Sequence, residues 1–292
     1  MERRTLFGGR LLPAVLVAPQ LAITILFFLL PAWRAFSESV QATDAFGLNT
    51  TFVGLANFRA LLDSPVYQAA LLRTVAFCAA VTVLSMAGGL VLACFANRGI
   101  RGQSVYRVLL IWPYAIAPAL ASVIFVFLLQ PQIGLLSNGL ARLGIDFNYA
   151  TNGNDAFGLI VLIAAWKQVS YNFIFYLAGL QSVPASVIEA ATLDGARGFY
   201  RFRTVIWPLL APTTFFLLVI NTVYAAFDAF ALIFALTGGG PGSSTTTLVV
   251  KVYRDGVINL DLGGSAAQSV ILMALIVVLT TIQFRYTGKR AT

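Results

Sequence analysis

The chain has 292 residues, 59% of them hydrophobic and 10% charged, with a formal net charge of +8 and a mean hydropathy of +0.85. Soluble domains carry about 25% charged residues, so a soluble enzyme or binding module is excluded and an integral membrane protein is expected. Histidine is absent, which removes histidine catalysis and histidine metal sites, and no catalytic residue, metal ligand or cofactor is expected.

Charge-free gaps mark the membrane spans in chain order. They run from Arg10 to Arg34, Arg73 to Arg98, Arg107 to Arg142, Arg203 to Asp228 and Asp261 to Arg285. Each exceeds the ~20 residues a helix needs to cross a bilayer. A further span, about 157–181, is interrupted by Lys167. The expectation is an all-α protein with six transmembrane helices near 11–33, 72–96, 106–130, 157–181, 206–236 and 265–285. The first could be a signal peptide, because Arg3, Arg4 and Arg10 precede it, but Leu11 to Trp33 is too long an apolar stretch for that. Domain boundaries are expected at 1–71 for the first helix and a long outer loop, at 72–286 for a five-helix core, and at 287–292 for a tail. Residues 34–71 hold enough polar and turn-forming residues to fold as a small cap.

Basic residues set the orientation. Arg3, Arg4 and Arg10, then Arg98, Arg101 and Arg107, then Arg197, Arg201 and Arg203, then Arg285, Lys289 and Arg290 all fall on one side of a six-span chain. The positive-inside rule makes that side, with both termini, cytoplasmic. The net charge is thus a matter of topology, and no nucleic-acid partner is implied.

Local signals follow in order. Cys78 and Cys94, sixteen residues apart on one helix, lie roughly 24 Å from each other, too far for a disulfide. Pro113 and Pro118 bend the third span, either as a packing kink or as the wall of a moving pathway. Thr237-Gly238-Gly239-Gly240-Pro241-Gly242 stops the fifth span, as a simple turn or as a contact surface for an external partner. Lys167 and Asp228 lie roughly 15 Å and 12 Å inside their spans at 1.5 Å per residue. Charges at such depth face a bundle interior or watery cavity and often pair. They form either a structural ion pair or part of a translocation path, with Lys167 attracting a passing phosphate. Asn172 and Tyr171, with Asn221 and Tyr224, are polar groups of the same two spans and candidates for the path or for core hydrogen bonding.

The loop 182–205 is the most informative segment. Pro184 suits a helix start, Ser186 to Leu193 favours helix, and Gly195 ends it. A second short helix is expected from Arg197 to Phe202. Val187, Ile188 and Ala191 would form a small apolar ridge beside Glu189. Such a ridge packs on its own helices or fits a groove on a partner.

Glu189-Ala190-Ala191, Gly195 and then Val205-Ile206-Trp207-Pro208 resemble the signature of permease subunits of ABC importers. That signature usually has Ile at position 205 and Leu at 207. Val17-Ala18-Pro19-Gln20, Val53 to Phe58, Leu177 to Pro184 and Thr237 to Pro241 are similar to the binding-protein-dependent, carbohydrate-uptake (type I) members. Pro113 to Pro118, Trp166 to Phe173, Ser265 to Val270 and Gln283 to Tyr286 are similar to A-type permeases of sn-glycerol-3-phosphate importers. The resemblance implies a bacterial inner-membrane subunit that pairs with a second, homologous permease. It also implies an ATP-binding subunit dimer docked at Glu189, Ala190, Ala191, Asp194 and Gly195, and a periplasmic substrate-binding protein. No G-x-x-x-x-G-K-[ST] phosphate loop occurs in the chain, so ATP would be handled by another subunit. The implied cargo is sn-glycerol-3-phosphate or a related glycerophospho compound, with a sugar or polyol as the alternative. An ion-coupled secondary transporter would favour more intramembrane acids and internal repeats. A lipid-modifying membrane enzyme would need clustered acids or metal ligands.

Overall fold

The computed structural model describes residues 11–43, 49–97 and 102–288. Arg3, Arg4, Arg10, Asp44, Arg98, Arg101, Lys289 and Arg290 lie outside the described residues, and so does most of the 287–292 tail. The chain divides into two compact units, Met1–Ser64 with Val252–Met273, and Pro65–Lys251 with Ala274–Thr292.

In the first unit, α1 (Leu11–Thr24), a π-helical turn (Ile25–Leu29) and α2 (Leu30–Ser39) make one helical run. Its apolar side chains are exposed all round, as in Leu16, Phe27 and Phe28. That pattern suits a helix in lipid. It runs past the expected end at residue 33 because α2 carries an amphipathic last stretch. The expected cap is present. Strands β1 (Gln41–Thr43) and β2 (Thr50–Phe52) pair antiparallel, Gln41 opposite Phe52, and α3 (Ala56–Asp63) follows. This hairpin is the one departure from an all-α fold among the described residues. Asn57 Nδ2 donates to the carbonyls of Ser39 at 3.0 Å and Gln41 at 2.9 Å, which fixes α3 against the end of α2. Gly263 packs so close that a Cβ there would collide with the Gln41 carbonyl and lie 3.1 Å from Asn57 Nδ2. Asp255 accepts from Gln268 Nε2 at 2.6 Å and Asn259 Nδ2 at 3.2 Å.

The second unit is built on two long helices, α4 (Pro65–Ala96) and α8 (Gly153–Gln181). They approach closely where α4 carries Gly88 and Gly89. A Cβ on Gly89 would lie 2.5 Å from Asn172 Cβ and 2.9 Å from the Phe173 amide nitrogen. Small residues permit this approach between membrane helices. Around the pair lie α5 (Gln103–Ala115), α6 (Pro118–Leu128), the surface helix α7 (Leu135–Arg142), then α9 (Ala185–Leu193), α10 (Gly198–Arg201), α11 (Trp207–Leu209), α12 (Ala211–Val223), α13 (Phe230–Thr237) and α14 (Leu248–Tyr253). The last helix, α15 (Leu262–Gly288), begins in the first unit and ends in the second.

Among the described residues, five helices are long and apolar enough to cross a membrane, or six when α5 and α6 count as one span. The third span is broken rather than gently bent, with 101° between its halves. Pro118 has no amide hydrogen to continue the ladder and sits at the first position of α6, where none is needed. The fifth span is likewise interrupted, by a π-helical turn over Tyr224–Asp228.

Two separate apolar cores result. One gathers Phe77, Val81 and Ala121 with Ile160, Ile163 and Ala164 of α8 and Ala225, Ala229, Leu232 and Ile233. The other gathers Ala93 and Ala96 with Phe173, Tyr176, Leu177, Leu180, Leu210 and Leu217. Between them α4 contributes Thr82 and Ser85, α8 contributes Lys167, Gln168, Ser170 and Asn172, and α12 contributes Asn221 and Thr222, all buried.

Gly89→Val is expected to force α4 from α8 and cost about 2 kcal/mol or more, the scale of overpacking a dense contact. Gly139→Ala is the control, because a Cβ at Gly139 meets nothing within 4 Å. Thermal unfolding of the purified protein in detergent checks both, with a lowered Tm expected for the first alone.

Candidate functional site: the α9 loop and the buried polar belt

The α9 loop is shaped by its own chain chemistry. Pro184 is the N-cap of α9, and the helix ends in a Schellman arrangement. Gly195 N donates to Thr192 O at 3.1 Å and Ala196 N to Ala191 O at 2.9 Å, with Gly195 at φ +81°. A side chain at that φ would be strained, which is why glycine stands there. Ala196 is buried beneath the turn. Arg201 Nη1 donates to Thr192 Oγ1 at 3.0 Å and ties α10 back to α9. The expected second helix is therefore present as α10, continued by a π-helical turn over Phe202–Ile206.

Glu189, Ala190, Asp194 and Gly195 are exposed, and Ala191 is half-buried. The face formed by α9 and its turn thus exposes two carboxylates, with little bulk over Ala190 and Ala191. The expected ridge is divided. Val187 faces out, whereas Ile188 turns inward and lines a groove of about 680 Å³ with Leu180, Phe199 and Phe202. Exposed apolar bulk comes instead from Leu193 (90% exposed), Phe199 and Tyr200. Sequence reasoning missed these three. Their signal was available, because apolar residues beside a helix-ending glycine have little of their own chain to pack on.

The polar belt answers where the deeper candidates lie. Asn172 and Asn221 are wholly buried and bond each other reciprocally. Asn172 Nδ2 donates to Asn221 Oδ1 at 3.1 Å, and Asn221 Nδ2 donates to Asn172 Oδ1 at 2.7 Å. Ser85 Oγ donates to the same Asn221 Oδ1 at 3.0 Å, so one cluster joins α4, α8 and α12. In this conformation these amides face one another rather than a cavity.

Lys167 is 5% exposed, and its ammonium donates to Pro113 O at 3.1 Å and to Ile116 O. It does not pair with Asp228 as the sequence suggested. Asp228 is exposed at the end of its π turn. The physical reason is that the break after α5 frees carbonyls, which compete for the lysine's protons and lie at the negative end of the α5 dipole. Tyr224 is half-buried, with a hydroxyl that finds no hydrogen-bond partner among the described residues.

The glycine-rich loop after α13 is more than a plain turn. Thr246 Oγ1 donates to Gly239 O at 2.9 Å and Thr245 Oγ1 to Gly240 O at 2.8 Å. Leu248 N donates to Thr74 Oγ1 on α4 at 2.8 Å, so the loop is folded back and anchored.

A helical bundle with interrupted spans and an exposed, glycine-ended helix-turn loop fits a permease subunit of the binding-protein-dependent kind. Residues 85–292 match the family described as "Binding-protein-dependent transport system inner membrane component", and the chain belongs to that family. It is 53% identical over 288 residues to the sn-glycerol-3-phosphate transport system permease protein UgpA of Brucella abortus biovar 1 (strain 9-941), covering 99% of this chain and 98% of that one. It is 54% identical to the protein of that name from Rhizobium meliloti (strain 1021), again over 99% and 98%, and 51% identical to that of Yersinia pestis, over 97% and 96%. The fold is similar to that in the crystal structure of a bacterial ABC transporter involved in the import of the acidic polysaccharide alginate. The TM-score is 0.82 at 20% identity, with 97% of this chain and 96% of the other covered.

Asn221→Ala should strand the Asn172 amide and Ser85 hydroxyl and cost about 1–3 kcal/mol, as for other buried groups left unpaired. The double change Asn172→Leu with Asn221→Leu should cost less than the sum of the single changes, because neither amide is then left buried alone. Thermal unfolding of the four proteins closes the cycle.

Proposed function

We propose that this chain is one of two membrane subunits of an ATP-driven importer for sn-glycerol-3-phosphate or a related glycerophospho compound. The observation that carries the coupling part is the exposed, Gly195-terminated α9 loop, whose small and acidic upper face adjoins apolar Leu193, Phe199 and Tyr200. An exposed apolar patch rimmed by polar groups suits a protein partner. Here the partner is an ATP-binding subunit, one of a dimer, docked at Glu189, Ala190, Ala191, Asp194 and Gly195. A second, homologous permease completes the pathway, and a periplasmic binding protein delivers cargo. Both termini and the α9 loop face the cytoplasm.

The substrate reading is supported by the full-length similarity to permeases named for sn-glycerol-3-phosphate. Mechanism follows from the fold. Closure of the ATP-binding dimer pushes α9, and the Schellman turn makes α9 and α10 move as one piece. That push passes to α8 and α12, between which the loop is strung. Lys167, Asn172, Asn221, Tyr224 and Asp228 remain the candidates for the path, of which Asp228 is exposed and Tyr224 has a hydroxyl without a hydrogen-bond partner among the described residues.

Cells lacking this chain are expected to regain uptake of labelled sn-glycerol-3-phosphate when it is restored. Gly195→Pro should abolish that uptake at equal membrane level. Proline can neither adopt φ +81° nor donate the bond to Thr192 O. No uptake from the normal chain, with partner subunits present, would reject the substrate and direct the search to glycerophosphodiesters and sugars.

A further inference from the structure

We infer that Lys167 is a positioning residue that sets the angle between α5 and α6, and through it the relation of the two half-bundles on either side of the polar belt. The substrate's phosphate is not its partner.

The break leaves the last carbonyls of α5 without helical donors. Ile116 N reaches Pro113 O only at 3.4 Å. Lys167 Nζ donates to both Pro113 O and Ile116 O, so its ammonium is the cap of α5. Carbonyls in a membrane interior must find a donor, and a cation at a helix C-terminus is favoured by the dipole. Straightening or closing the break would move these acceptors away from an almost fully buried charge. The angle and the lysine's solvation are therefore one variable.

The halves pack mainly on different neighbours. Helix α5 packs on α8. Helix α6 packs against α13, and Ser122 Oγ donates to Leu232 O at 2.8 Å across them. The other route into α13 is also interrupted. Ala229 N bonds back five residues to Tyr224 O at 3.0 Å, which is the π turn leading out of α12. Thus α6 and α13 form a pair joined to α5 and α12 through two non-α-helical joints, while α4 and α8 run through unbroken. Interruptions of this kind recur at functional sites and hinges. Lys167 stands on the unbroken helix and holds the first joint. Phe125 meets Trp166 edge to face, with ring centroids 5.5 Å apart, so α6 is guided along α8 just beyond the lysine.

The transport arm of the test rests on the proposed importer function; the distance arm does not. The assembled transporter would be placed in lipid nanodiscs with Cys78→Ala and Cys94→Ala. Spin labels at Val108→Cys on α5 and Phe127→Cys on α6, both exposed, report the angle. The expected result is a narrow label distance with Lys167, a shift or broadening by several ångströms with Lys167→Met, and restoration with Lys167→Arg. Uptake should lose Vmax by roughly tenfold in Lys167→Met, the scale expected when a two-state element is perturbed, with KM unchanged. Should that variant not accumulate in the membrane, Lys167→Gln keeps an amide donor without the charge and should show a smaller effect of the same sign. An unchanged label distance in Lys167→Met, or a raised KM with Vmax kept, would overturn the proposal, the latter in favour of a phosphate contact. A distance that responds in a transporter taking up no glycerophospho compound would uphold the positioning role and reject the substrate.

Discussion

The contact of α4 with α8 at Gly88 and Gly89 is the constraint from which the second unit follows. A backbone approach this close has no room for side chains on α4, so α8 must supply the surface there, and it does so with Val169, Asn172 and Phe173. With Asn172 pressed against glycine, its amide has one direction left, toward α12. There it meets Asn221, which also receives Ser85 Oγ from α4. Three helices are thereby fixed in register by hydrogen bonds, which membrane helices need because lipid offers no hydrophobic drive to associate. The apolar side chains above and below are left to gather into two cores, since none can bridge the polar level.

That division gives the interrupted helices their sense. A straight helix transmits displacement along its whole length, whereas a broken one lets its ends answer to different neighbours. Within the second unit α4 and α8 are unbroken while the third and fifth spans are broken, and the breaks fall beside the polar belt. The α9 loop hangs from the end of α8 and leads into the chain that becomes α12. A push on it therefore reaches the unbroken spine and the lower half of a broken span together. An importer permease needs both a firm handle for its motor and a part of the pathway that moves relative to it.

Much of this was legible in the sequence. Charge-free gaps located the spans, because lipid tolerates few charges whatever the fold. Glu189 to Gly195 showed its helix and its stop, because glycine chemistry at a helix end is local. Pro113 and Pro118 announced a bend. What they did not announce was the acceptor for Lys167, since a backbone carbonyl leaves no mark in a sequence, and Asp228 was the only visible partner. Asn172 and Asn221 were recognisable as polar groups, but their mutual bond depends on the approach at Gly89, which is a tertiary fact. The β1–β2 hairpin was missed because three-residue strands carry no alternation to read. The ridge on α9 was half right because a short helix has too few turns to show which apolar side its neighbours will cover.

The most direct measurement is uptake of labelled sn-glycerol-3-phosphate into proteoliposomes that hold this chain with its partner subunits, with ATP inside and loaded binding protein outside. Uptake that requires ATP and the binding protein, and that survives collapse of proton and sodium gradients, is the expected result. Uptake that proceeds without ATP, or that stops when an ion gradient is collapsed, would contradict a permease driven through its α9 loop.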